Sequence, residues 1–406
     1  MSEQPGGNPG GHRRRRIGIA VLGLGWMGQA HSRSALRIPS LFPDRAYHPA
    51  LVVCADPVPA LRERAVDDFG FERAVSDWHE AVSAPDVDAV WVTAPNMLHV
   101  EMIEAACAAG KAVFSEKPIG GRPEQAVAAF GAAQRAGVVT GVGYNYLWAP
   151  LVLHARELIA SGELGDITHY RGRFLSMYGS DELGLLTWRF RFDQAGYGVS
   201  SDILSHSVAL AQFLVGAITE VVGLQNTTIT HRPIPSGAAS HYGRGSADDE
   251  RGAVENEDFA SMLCRFASGA TGTFEAGRTL VGPESQNAFE VYGTKGSLAW
   301  NFERLNELQV YRLSSDATSG YTTVFGGDRF PYHGAFVPGQ ANAIGFEDLV
   351  AIEDHEFCQA LATGGNFSPG FAEAVDVVSV QQALIESWTS RGWRTVRDLT
   401  TEGDLR

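Results

Sequence analysis

The sequence has no long apolar run, few cysteines and little positive charge. No stretch reaches the roughly 18 consecutive apolar residues that a membrane-spanning helix requires, so we predict no membrane partner. The net charge of −15 argues against a nucleic-acid partner, because phosphate backbones bind positively charged surfaces. The cysteines lie far apart in apolar segments, which predicts reduced, buried thiols in a cytoplasmic, metal-free protein: Cys54, Cys107, Cys264 and Cys358.

The length of 406 residues, of which 44% are hydrophobic, is sufficient for two domains with separate cores. Residues 1–15 are predicted to be a disordered flank, because they are mostly Gly, Pro and polar and end in a basic run. Residues 16–145 are predicted to form a nucleotide-binding domain. Residues 146–406 are predicted to form a domain for substrate binding and oligomerisation, whose last helices pack back on the first domain.

Three glycines follow the first predicted strand. Residues 17–22 (IGIAVL) are aliphatic without alternation, which is typical of a strand buried on both faces of a parallel sheet. Residues 23–28 (GLGWMG) then give a G-x-G-x-x-G pattern, and residues 29–36 are helix-compatible. This order is the context that a dinucleotide-binding loop requires, because bare backbone can approach a pyrophosphate at a helix N-terminus. The alternative is a glycine-rich turn without a ligand.

The second predicted strand, residues 50–55, ends at Asp56. A carboxylate there can accept hydrogen bonds from ribose hydroxyls and repels a 2′-phosphate, which predicts NAD rather than NADP. Alternatively, Asp56 and Pro57 only start a turn. Residues 38–49 contain three prolines and are predicted to form an inserted loop that reaches the active site.

Strand and helix signals alternate through the first half of the chain. This alternation predicts an α/β domain with a doubly wound parallel sheet, in which ligands bind at the carboxyl ends of the strands. Asp56, Asn96, Glu116, Lys117 and Asn145 all lie at such ends. The predicted strands are residues 17–22, 50–55, 89–93, 112–115 and 138–143, and the predicted helices are residues 29–36, 61–69, 78–83, 99–109 and 123–136.

The second half shows a different pattern, which predicts an α+β domain with an open antiparallel sheet. Such a sheet has one face covered by helices, and its other face often packs on a second subunit, which predicts a homodimer or homotetramer. After a helix at residues 151–160, the predicted strands are residues 167–177, 259–266, 270–276, 288–292, 297–301 and 308–313.

A candidate catalytic pair lies between these strands. Ser200 or Ser201 is predicted to cap a helix on which Asp202 and His206, four residues apart, share one face. A carboxylate beside an imidazole can orient it and raise its basicity, as a general base requires. The alternative is a surface pair without a catalytic role.

Together these motifs resemble the glucose–fructose oxidoreductase and inositol dehydrogenase family, Gfo/Idh/MocA, over residues 17–396. The resemblance implies an NAD-dependent dehydrogenase without a metal, in which Lys117, Asp202 and His206 are catalytic. The matching motifs are GLGWMG at residues 23–28, TAPN at residues 93–96 with His99, EKP at residues 116–118, Asn145, and Asp202 with His206.

The resemblance also implies binding roles for further residues. His206 would accept the hydroxyl proton, Lys117 would hold the substrate oxygen, and Glu116 would orient either the backbone or Lys117. Tyr146, Trp148, Tyr178 and Trp188 are available as sugar-stacking surfaces or as core residues. The implied cofactor-binding residues are Gly23, Gly25, Trp26, Met27, Gly28, Asp56, Thr93, Asn96, His99, Glu116, Lys117, Asn145, Trp188 and Arg189, and the implied substrate-binding residues are Lys117, Tyr146, Trp148, Asp202 and His206.

Within the family, the chain is most similar to levoglucosan dehydrogenases and related pyranoside 3-dehydrogenases. This similarity rests on residues 186–190 (LTWRF), the long segment before Pro49, and residues 304–311 (RLNELQVY). One difference is that members often carry Asn-Tyr-Arg where this chain has Asn145, Tyr146 and Leu147, which predicts a more apolar pocket.

The predicted reaction is oxidation of a secondary hydroxyl group, at carbon 3, of a pyranose, glycoside or anhydrosugar, or reduction of the ketosugar. Three alternatives stay open at this point. The first is an inositol or amino-sugar dehydrogenase of the same family, the second is an NAD-dependent glycosidase, and the third is a non-catalytic NAD-binding regulator.

Overall fold

The first half of the chain folds around a six-stranded sheet in which every pair of neighbouring strands is parallel. The computed structural model describes residues 14–237, 242–315 and 319–400, so most of the predicted N-terminal flank lies outside the described residues. The strands are β1 (Arg15–Leu22), β2 (Tyr47–Ala55), β3 (Arg73–Val75), β4 (Ala89–Val92), β5 (Ala112–Ser115) and β6 (Thr140–Val142), and the helices are α1 (Trp26–Leu41), α2 (Pro59–Phe69), α3 (Trp78–Val82), α4 (His99–Ala108) and α5 (Pro123–Ala136).

The strand order β3-β2-β1-β4-β5-β6 places β1 near the centre of this sheet, between β2 and β4. The strands β4 and β5 are buried along their whole length, as their uninterrupted apolar sequences predict. The carboxyl ends of the parallel strands therefore meet at one edge, and the segments that follow them surround a common cavity. This arrangement confirms the predicted doubly wound fold.

The structure differs from two sequence-based predictions about the first 50 residues. The strand β1 begins at Arg15, inside the predicted disordered flank. Residues 38–49 do not form a long loop, because α1 continues through Pro39 to Leu41 and β2 begins at Tyr47. Pro39 lies inside α1 and removes one backbone hydrogen bond, but the helix continues past it to Leu41.

The second half contains a nine-stranded sheet with the order β16-β15-β14-β13-β7-β12-β11-β8-β17 and a separate pair, β9 and β10. Its strands are β7 (Ile167–Leu175), β8 (Ile218–Asn226), β9 (His231–Pro233), β10 (Arg251–Ala253), β11 (Phe259–Phe266), β12 (Thr271–Gly277), β13 (Gln286–Gly293), β14 (Gly296–Asn301), β15 (Glu307–Arg312), β16 (Thr322–Phe325) and β17 (Arg394–Thr395). Its helices are α6 (Pro150–Ala160), α7 (Phe192–Ala195), α8 (Val199–Asp202), α9 (Leu204–Val215), α10 (His333–Phe336), α11 (Phe346–Thr363) and α12 (Phe371–Ser390).

The large sheet is mixed rather than purely antiparallel. The strand β7 pairs in parallel with β12 and antiparallel with β13, and the other neighbouring pairs are antiparallel. The two predicted hairpins, β11–β12 and β13–β14, are present. The expected α+β domain is thus confirmed, with one parallel pair that the hairpin signals did not predict.

Two C-terminal helices pack on elements of the first half. The helix α11 packs along α1, and ion pairs join Arg33 to Glu347 and Arg37 to Asp348. The helix α12 packs on β8, α5 and α9. Every cysteine of the chain is buried with a free thiol. Among the described residues, no helix combines the length and the apolar character needed to cross a membrane.

Candidate active site

The glycine loop joins β1 to α1 with the geometry that its sequence predicts. Gly23 has a φ of +93°, which favours glycine. A Cβ atom on Gly28 would lie 2.0 Å from the Gly23 carbonyl oxygen, so glycine is needed for the close approach of helix and loop. A Cβ atom on Gly25 would meet no heavy atom within 4 Å, because Gly25 faces open space. The N-terminus of α1 is therefore accessible to a ligand.

A cavity of about 980 Å³ extends from this loop to the second half of the chain. One wall consists of segments that follow the parallel strands, and the opposite wall consists of segments from the large sheet and from α8 and α9. Most predicted site residues line it: Gly23, Gly25, Trp26, Met27, Asp56, Thr93, Asn96, His99, Glu116, Lys117, Asn145, Tyr146, Tyr178, Trp188, Arg189, Asp202 and His206.

Asp56 fixes the glycine loop to the end of β2. Its carboxylate accepts hydrogen bonds from the backbone N–H of Leu24 at 2.8 Å and of Val58 at 2.9 Å. The second contact is the turn that the sequence offered as an alternative, so Asp56 both starts a turn and lines the cavity. Thr93 holds the loop from the other side, because its hydroxyl donates to the Gly23 carbonyl at 2.6 Å.

His99 is a buried link between two loops of the cavity wall. Its Nδ1 lies 2.8 Å from the Pro118 carbonyl oxygen, and its Nε2 lies 2.7 Å from the Ala94 carbonyl oxygen. Burial lowers the pKa of His99, which favours the neutral ring. The ring thus fixes the loop after β4 to the loop that carries Lys117.

Lys117 and Asp202 join the two halves of the chain by a direct contact in the cavity. The Lys117 Nζ donates to Asp202 Oδ1 at 2.7 Å and to the Asp202 backbone carbonyl at 3.0 Å. The other carboxylate oxygen accepts from the Tyr178 hydroxyl at 3.3 Å and lies 3.6 Å from Arg189. Burial alone would raise the pKa of Asp202, but Lys117 and Arg189 hold it well below its usual value, so the carboxylate is ionised.

His206 lies in an aromatic environment beside this pair. Its ring centroid is 4.7 Å from that of Tyr146 and 5.9 Å from that of Phe174. The ring is 6% exposed, and its Nδ1 has no hydrogen-bond partner. Burial and the nearby Lys117 lower the pKa of His206 well below its usual value, and Asp202 opposes this shift only in part. The imidazole is therefore neutral and able to accept a proton.

The predicted direct pair of Asp202 and His206 is wrong. The helix is interrupted, since α8 ends at Asp202 and α9 begins at Leu204. The Asp202 carboxylate consequently turns toward Lys117, Arg189 and Tyr178 rather than toward the imidazole. Asp202 thus acts on His206 through its charge: it raises the pKa of His206, as predicted, but burial and Lys117 lower it further than Asp202 raises it.

The predicted serine cap is also wrong, because Ser200 and Ser201 lie inside α8 and Gly198 is its N-cap. The Glu257 carboxylate performs the capping instead. It accepts from the Gly198 N–H at 3.0 Å and from the Ser200 N–H at 2.9 Å. Glu257 is 59 and 57 residues away from these positions along the chain, so no local sequence signal could reveal it.

A buried charged network supports Arg189 from behind. Arg278 donates to Asp258 at 2.8 Å, to the Asn256 side chain at 2.7 Å and to the Arg189 carbonyl at 3.3 Å. Asn256 also donates to the Arg189 carbonyl at 3.0 Å and to the Gly196 carbonyl at 3.1 Å. The segment that leads to α8 is therefore held by side chains that lie just before β11 and just after β12.

Trp148 does not contribute to this cavity, although it is among the predicted substrate-binding residues. Its ring stacks on Phe367 with centroids 5.8 Å apart, and it lines a different cavity, behind α9. The short helical turn at Asn145–Trp148 explains the difference, because it directs Tyr146 into the site and Trp148 away from it. Gly28 lies beneath the loop and is not part of the lining either.

Several residues of the opposite wall carry no sequence signal. Ser176 and Met177 line the cavity from the segment after β7, and Glu284 and Ser285 line it from the segment before β13. Phe346, at the start of α11, also lines it and stacks on Trp26 with centroids 5.1 Å apart. None of these residues belongs to a motif, and they lie together only because the sheet and α11 bring them there.

Two family models match the chain. The model described as "Oxidoreductase family, NAD-binding Rossmann fold" matches residues 17–144, and the "GFO/IDH/MocA C-terminal domain" model matches residues 152–299. The protein therefore belongs to the Gfo/Idh/MocA family of NAD-dependent oxidoreductases. This confirms the predicted family, the predicted cofactor NAD and the predicted class of dehydrogenase.

Among individual relatives, levoglucosan dehydrogenase of Pseudarthrobacter phenanthrenivorans is 35% identical over 389 residues, which are 95% of this chain and 100% of the relative. The scyllo-inositol 2-dehydrogenase (NAD(+)) of Bacillus subtilis is 30% identical over 285 residues, covering 70% of this chain and 73% of the relative. The solved structure of levoglucosan dehydrogenase in complex with NADH and levoglucosan superposes with a TM-score of 0.88 at 34% identity, covering 94% of this chain and 100% of that one.

Proposed function

We propose that the protein oxidises a secondary hydroxyl group, at carbon 3, of a pyranose, glycoside or anhydrosugar, or reduces the corresponding ketosugar. The observation that carries this proposal is the contact of Lys117 with Asp202 at 2.7 Å beside the buried, neutral His206. These three side chains share one cavity with the glycine loop. A proton acceptor, a cationic hydrogen-bond donor and a dinucleotide loop are the groups that such an oxidation needs.

The cavity fits NAD on two features of this chain. The exposed backbone at Gly25 leaves room for a pyrophosphate at the N-terminus of α1, and the Asp56 carboxylate lines the cavity at the end of β2. Asp56 would accept from ribose hydroxyls and oppose a 2′-phosphate. When bound, NAD supplies the hydride acceptor. Trp26, Asn96, Glu116, Asn145 and the other predicted cofactor-binding residues that line the cavity would hold the dinucleotide along the strand ends.

Lys117 and His206 would have different roles at the substrate hydroxyl group. The Lys117 ammonium group donates to the substrate oxygen and stabilises the negative charge that develops there. That charge stabilisation makes the hydroxyl proton easier to remove, so the weakly basic His206 suffices as the acceptor. Asp202 positions the ammonium group through its two contacts and keeps the local charge balanced.

The walls around these groups suit a sugar ring. Tyr146 and Trp188 offer aromatic faces, and the Tyr178 hydroxyl and Arg189 offer polar contacts beside Asp202. Relatives at 35% and 30% identity bear names that specify an anhydrosugar and a cyclitol. A cyclitol is accordingly the second candidate substrate, since it also presents secondary hydroxyl groups on a six-membered ring.

The assembly and the compartment are part of the same proposal. The open face of the nine-stranded sheet would pack on a second copy of the chain in a homodimer or homotetramer, as expected from the sequence. The free, buried thiols are consistent with a cytoplasmic enzyme. Light scattering at micromolar concentration would contradict the oligomer if it gave the mass of one chain.

The proposal is tested with a panel of substrates, and the reaction of each is monitored by NADH absorbance. Levoglucosan, free pyranoses, methyl glycosides and inositols are each offered with NAD, and the product carbon is identified by NMR. We expect stoichiometric NADH with a pyranose or anhydrosugar and a keto group at carbon 3. Release of a sugar without net NADH would indicate a glycosidase instead, and binding of NAD without any turnover of the panel would favour a regulator.

A further inference from the structure

Behind the cavity lies a buried cluster of one imidazole and three carboxyl groups, which joins α1, β5 and α11. The His31 Nδ1 lies 2.9 and 3.0 Å from the two carboxylate oxygens of Asp354, and its Nε2 lies 3.2 Å from Glu116 Oε1. Donor atoms of His31, Glu116 and Glu353 all lie within 4.8 Å of one another. His31, Glu353 and Asp354 are 0% exposed, and Glu116 is 8% exposed.

The contacts of each group indicate which of them carry protons. Both nitrogens of His31 face carboxylates, so both can donate and the ring is an imidazolium. Glu116 accepts from His31 and from the Lys117 backbone N–H at 3.2 Å, and Asp354 accepts from His31. Neither oxygen of Glu353 has a hydrogen-bond partner. Since hydrogen bonds stabilise the ionised form, the negative charges belong on Glu116 and Asp354, and the neutral acid is Glu353.

The pKa shifts of His31 and Glu353 agree with this distribution, whereas burial raises the pKa of Asp354 against the opposing charge and hydrogen bond of His31. Burial alone would lower the pKa of His31, but Asp354 and Glu116 together raise it well above its usual value. Burial raises the pKa of Glu353 well above its usual value, and the neighbouring Glu116 and Asp354 raise it further against the opposing His31. A fully ionised cluster would bury a net negative charge of two, which is costly unless one carboxyl group is protonated.

Of these four residues, only Glu116 lines the cavity, where it lies directly before Lys117 in the chain. Its position is fixed by His31 on one side and by Gly143 on the other. A Cβ atom on Gly143 would lie 2.9 Å from Glu116 Oε1, so glycine is required for the carboxylate to fit. Through Glu116, the charge of the cluster therefore acts on a ligand that binds next to Lys117.

We propose that Glu353, His31 and Asp354 are positioning residues that keep Glu116 ionised at the reacting end of the cofactor site. Glu353 is the uncharged, proton-carrying member of the cluster. The Glu116 anion favours binding of the oxidised cofactor over binding of the reduced one. The proposal rests on the proposed function only in placing the nicotinamide end of NAD beside Lys117. The oxidised nicotinamide ring carries a positive charge and the reduced ring carries none, so a nearby anion acts selectively on the oxidised form.

The protonation of Glu353 can be measured without cofactor or substrate. At mildly alkaline pH, we expect the infrared difference spectrum of wild type minus Glu353→Gln to show the carbonyl stretch of a protonated carboxylic acid. The matched control is Glu347→Gln, which removes an ionised carboxylate of the same helix that is paired with Arg33. Its difference spectrum should show carboxylate bands and no acid band, beside the glutamine amide bands that both variants add. A carboxylate band in place of the acid band for Glu353 overturns the assignment.

The effect on the cofactor is measured as the ratio of the NAD⁺ and NADH dissociation constants by calorimetry. Glu353→Gln replaces one neutral group by another and should keep this ratio within about twofold, as should Glu347→Gln. His31→Gln removes the cation that holds Glu116 ionised, and it should shift the ratio toward NADH by about tenfold. Asp354→Asn should shift it in the same direction and provides a second variant if His31→Gln does not fold.

Three results would overturn the inference. The first is a shift of the ratio in Glu353→Gln as large as that in His31→Gln, which would mean that Glu353 carries charge. The second is an unchanged ratio in His31→Gln and Asp354→Asn. The third is one equivalent of divalent metal in the purified protein, because the metal would neutralise the carboxylates in place of the Glu353 proton. None of these measurements uses a sugar, so they can fail while the proposed reaction stands, and the reverse also holds.

Discussion

The two walls of the cavity are built in different ways. The wall at the ends of the parallel strands comes from short contiguous motifs, and the contacts of Asp56 and Thr93 with the glycine loop join adjacent strands. The opposite wall depends on side chains that are distant in sequence, such as Glu257 under α8 and Arg278 behind Arg189. Cofactor binding should therefore tolerate changes that disable the opposite wall.

The largest effect is expected from His206→Ala. The variant loses the proton acceptor but leaves the glycine loop and Asp56 unchanged, so turnover should fall by about 10²–10⁴-fold while NAD affinity changes little. Turnover is followed by NADH absorbance and affinity by calorimetry. His169→Ala, on the large sheet and remote from the cavity, is the control and should be active. Near-normal turnover of His206→Ala would refute the proton-acceptor role.

Arg278→Met tests the opposite wall through its effect on the free energy of unfolding. The Arg278 and Asp258 side chains are 1% and 0% exposed, so the substitution leaves a buried carboxylate without its cation. We expect a loss of about 3–5 kcal/mol in the free energy of unfolding by denaturant titration, together with reduced turnover. Arg244→Met breaks an exposed ion pair with Asp181 and should cost about 1 kcal/mol or less. Equal losses in the two variants would contradict the importance of the buried network.

Asp56→Ser tests the other wall by itself. Removing the carboxylate should reduce the preference for NAD over NADP by about tenfold or more, because a 2′-phosphate is no longer repelled. Binding of both dinucleotides is compared by calorimetry, with Asp67→Ser on the exposed face of α2 as the control. A preference that is unchanged in Asp56→Ser would mean that another residue selects the cofactor.

Asp202→Asn should move the pH profile as well as lower turnover. Asp202 raises the pKa of His206 against burial and Lys117, so removing its charge lowers that pKa further. The acid limb of kcat/KM for oxidation should consequently move to lower pH. Because the substitution keeps the size of the side chain and one acceptor oxygen, its loss of turnover should be smaller than that of His206→Ala. A shift of the acid limb to higher pH would reverse the assigned sign.

Trp148→Phe should have the smallest effect. Trp148 lines a cavity other than the candidate active site, so the KM for the sugar should stay within about twofold of wild type. Trp188→Phe, which alters the active-site cavity, should raise the KM more than Trp148→Phe does. The reverse order would restore the role that the sequence predicted for Trp148.

The sequence predicted the cofactor wall well, because each of its features lies within one strand–loop–helix unit. Gly23 and Gly28 needed only local geometry, and the fold class followed from alternating strands and helices. The opposite wall could not be predicted in the same detail. The start of α8 depends on Glu257, and the positions of Phe346 and Glu284 depend on how α11 and the large sheet pack. Helical spacing alone therefore predicted a direct contact between Asp202 and His206 that the structure does not show, although both residues line the cavity.

The pH dependence of kcat/KM for sugar oxidation by the wild-type enzyme tests the central claim most directly. The measurement uses a substrate deuterated at the reacting carbon, so that an isotope effect reports that hydride transfer limits the rate. Because burial and Lys117 lower the pKa of His206, we predict that the acid limb lies well below pH 6.5, the ordinary value for histidine, and that activity is flat through neutral pH. An acid limb centred at or above about 6.5 would contradict the account of a buried, neutral His206 beside Lys117.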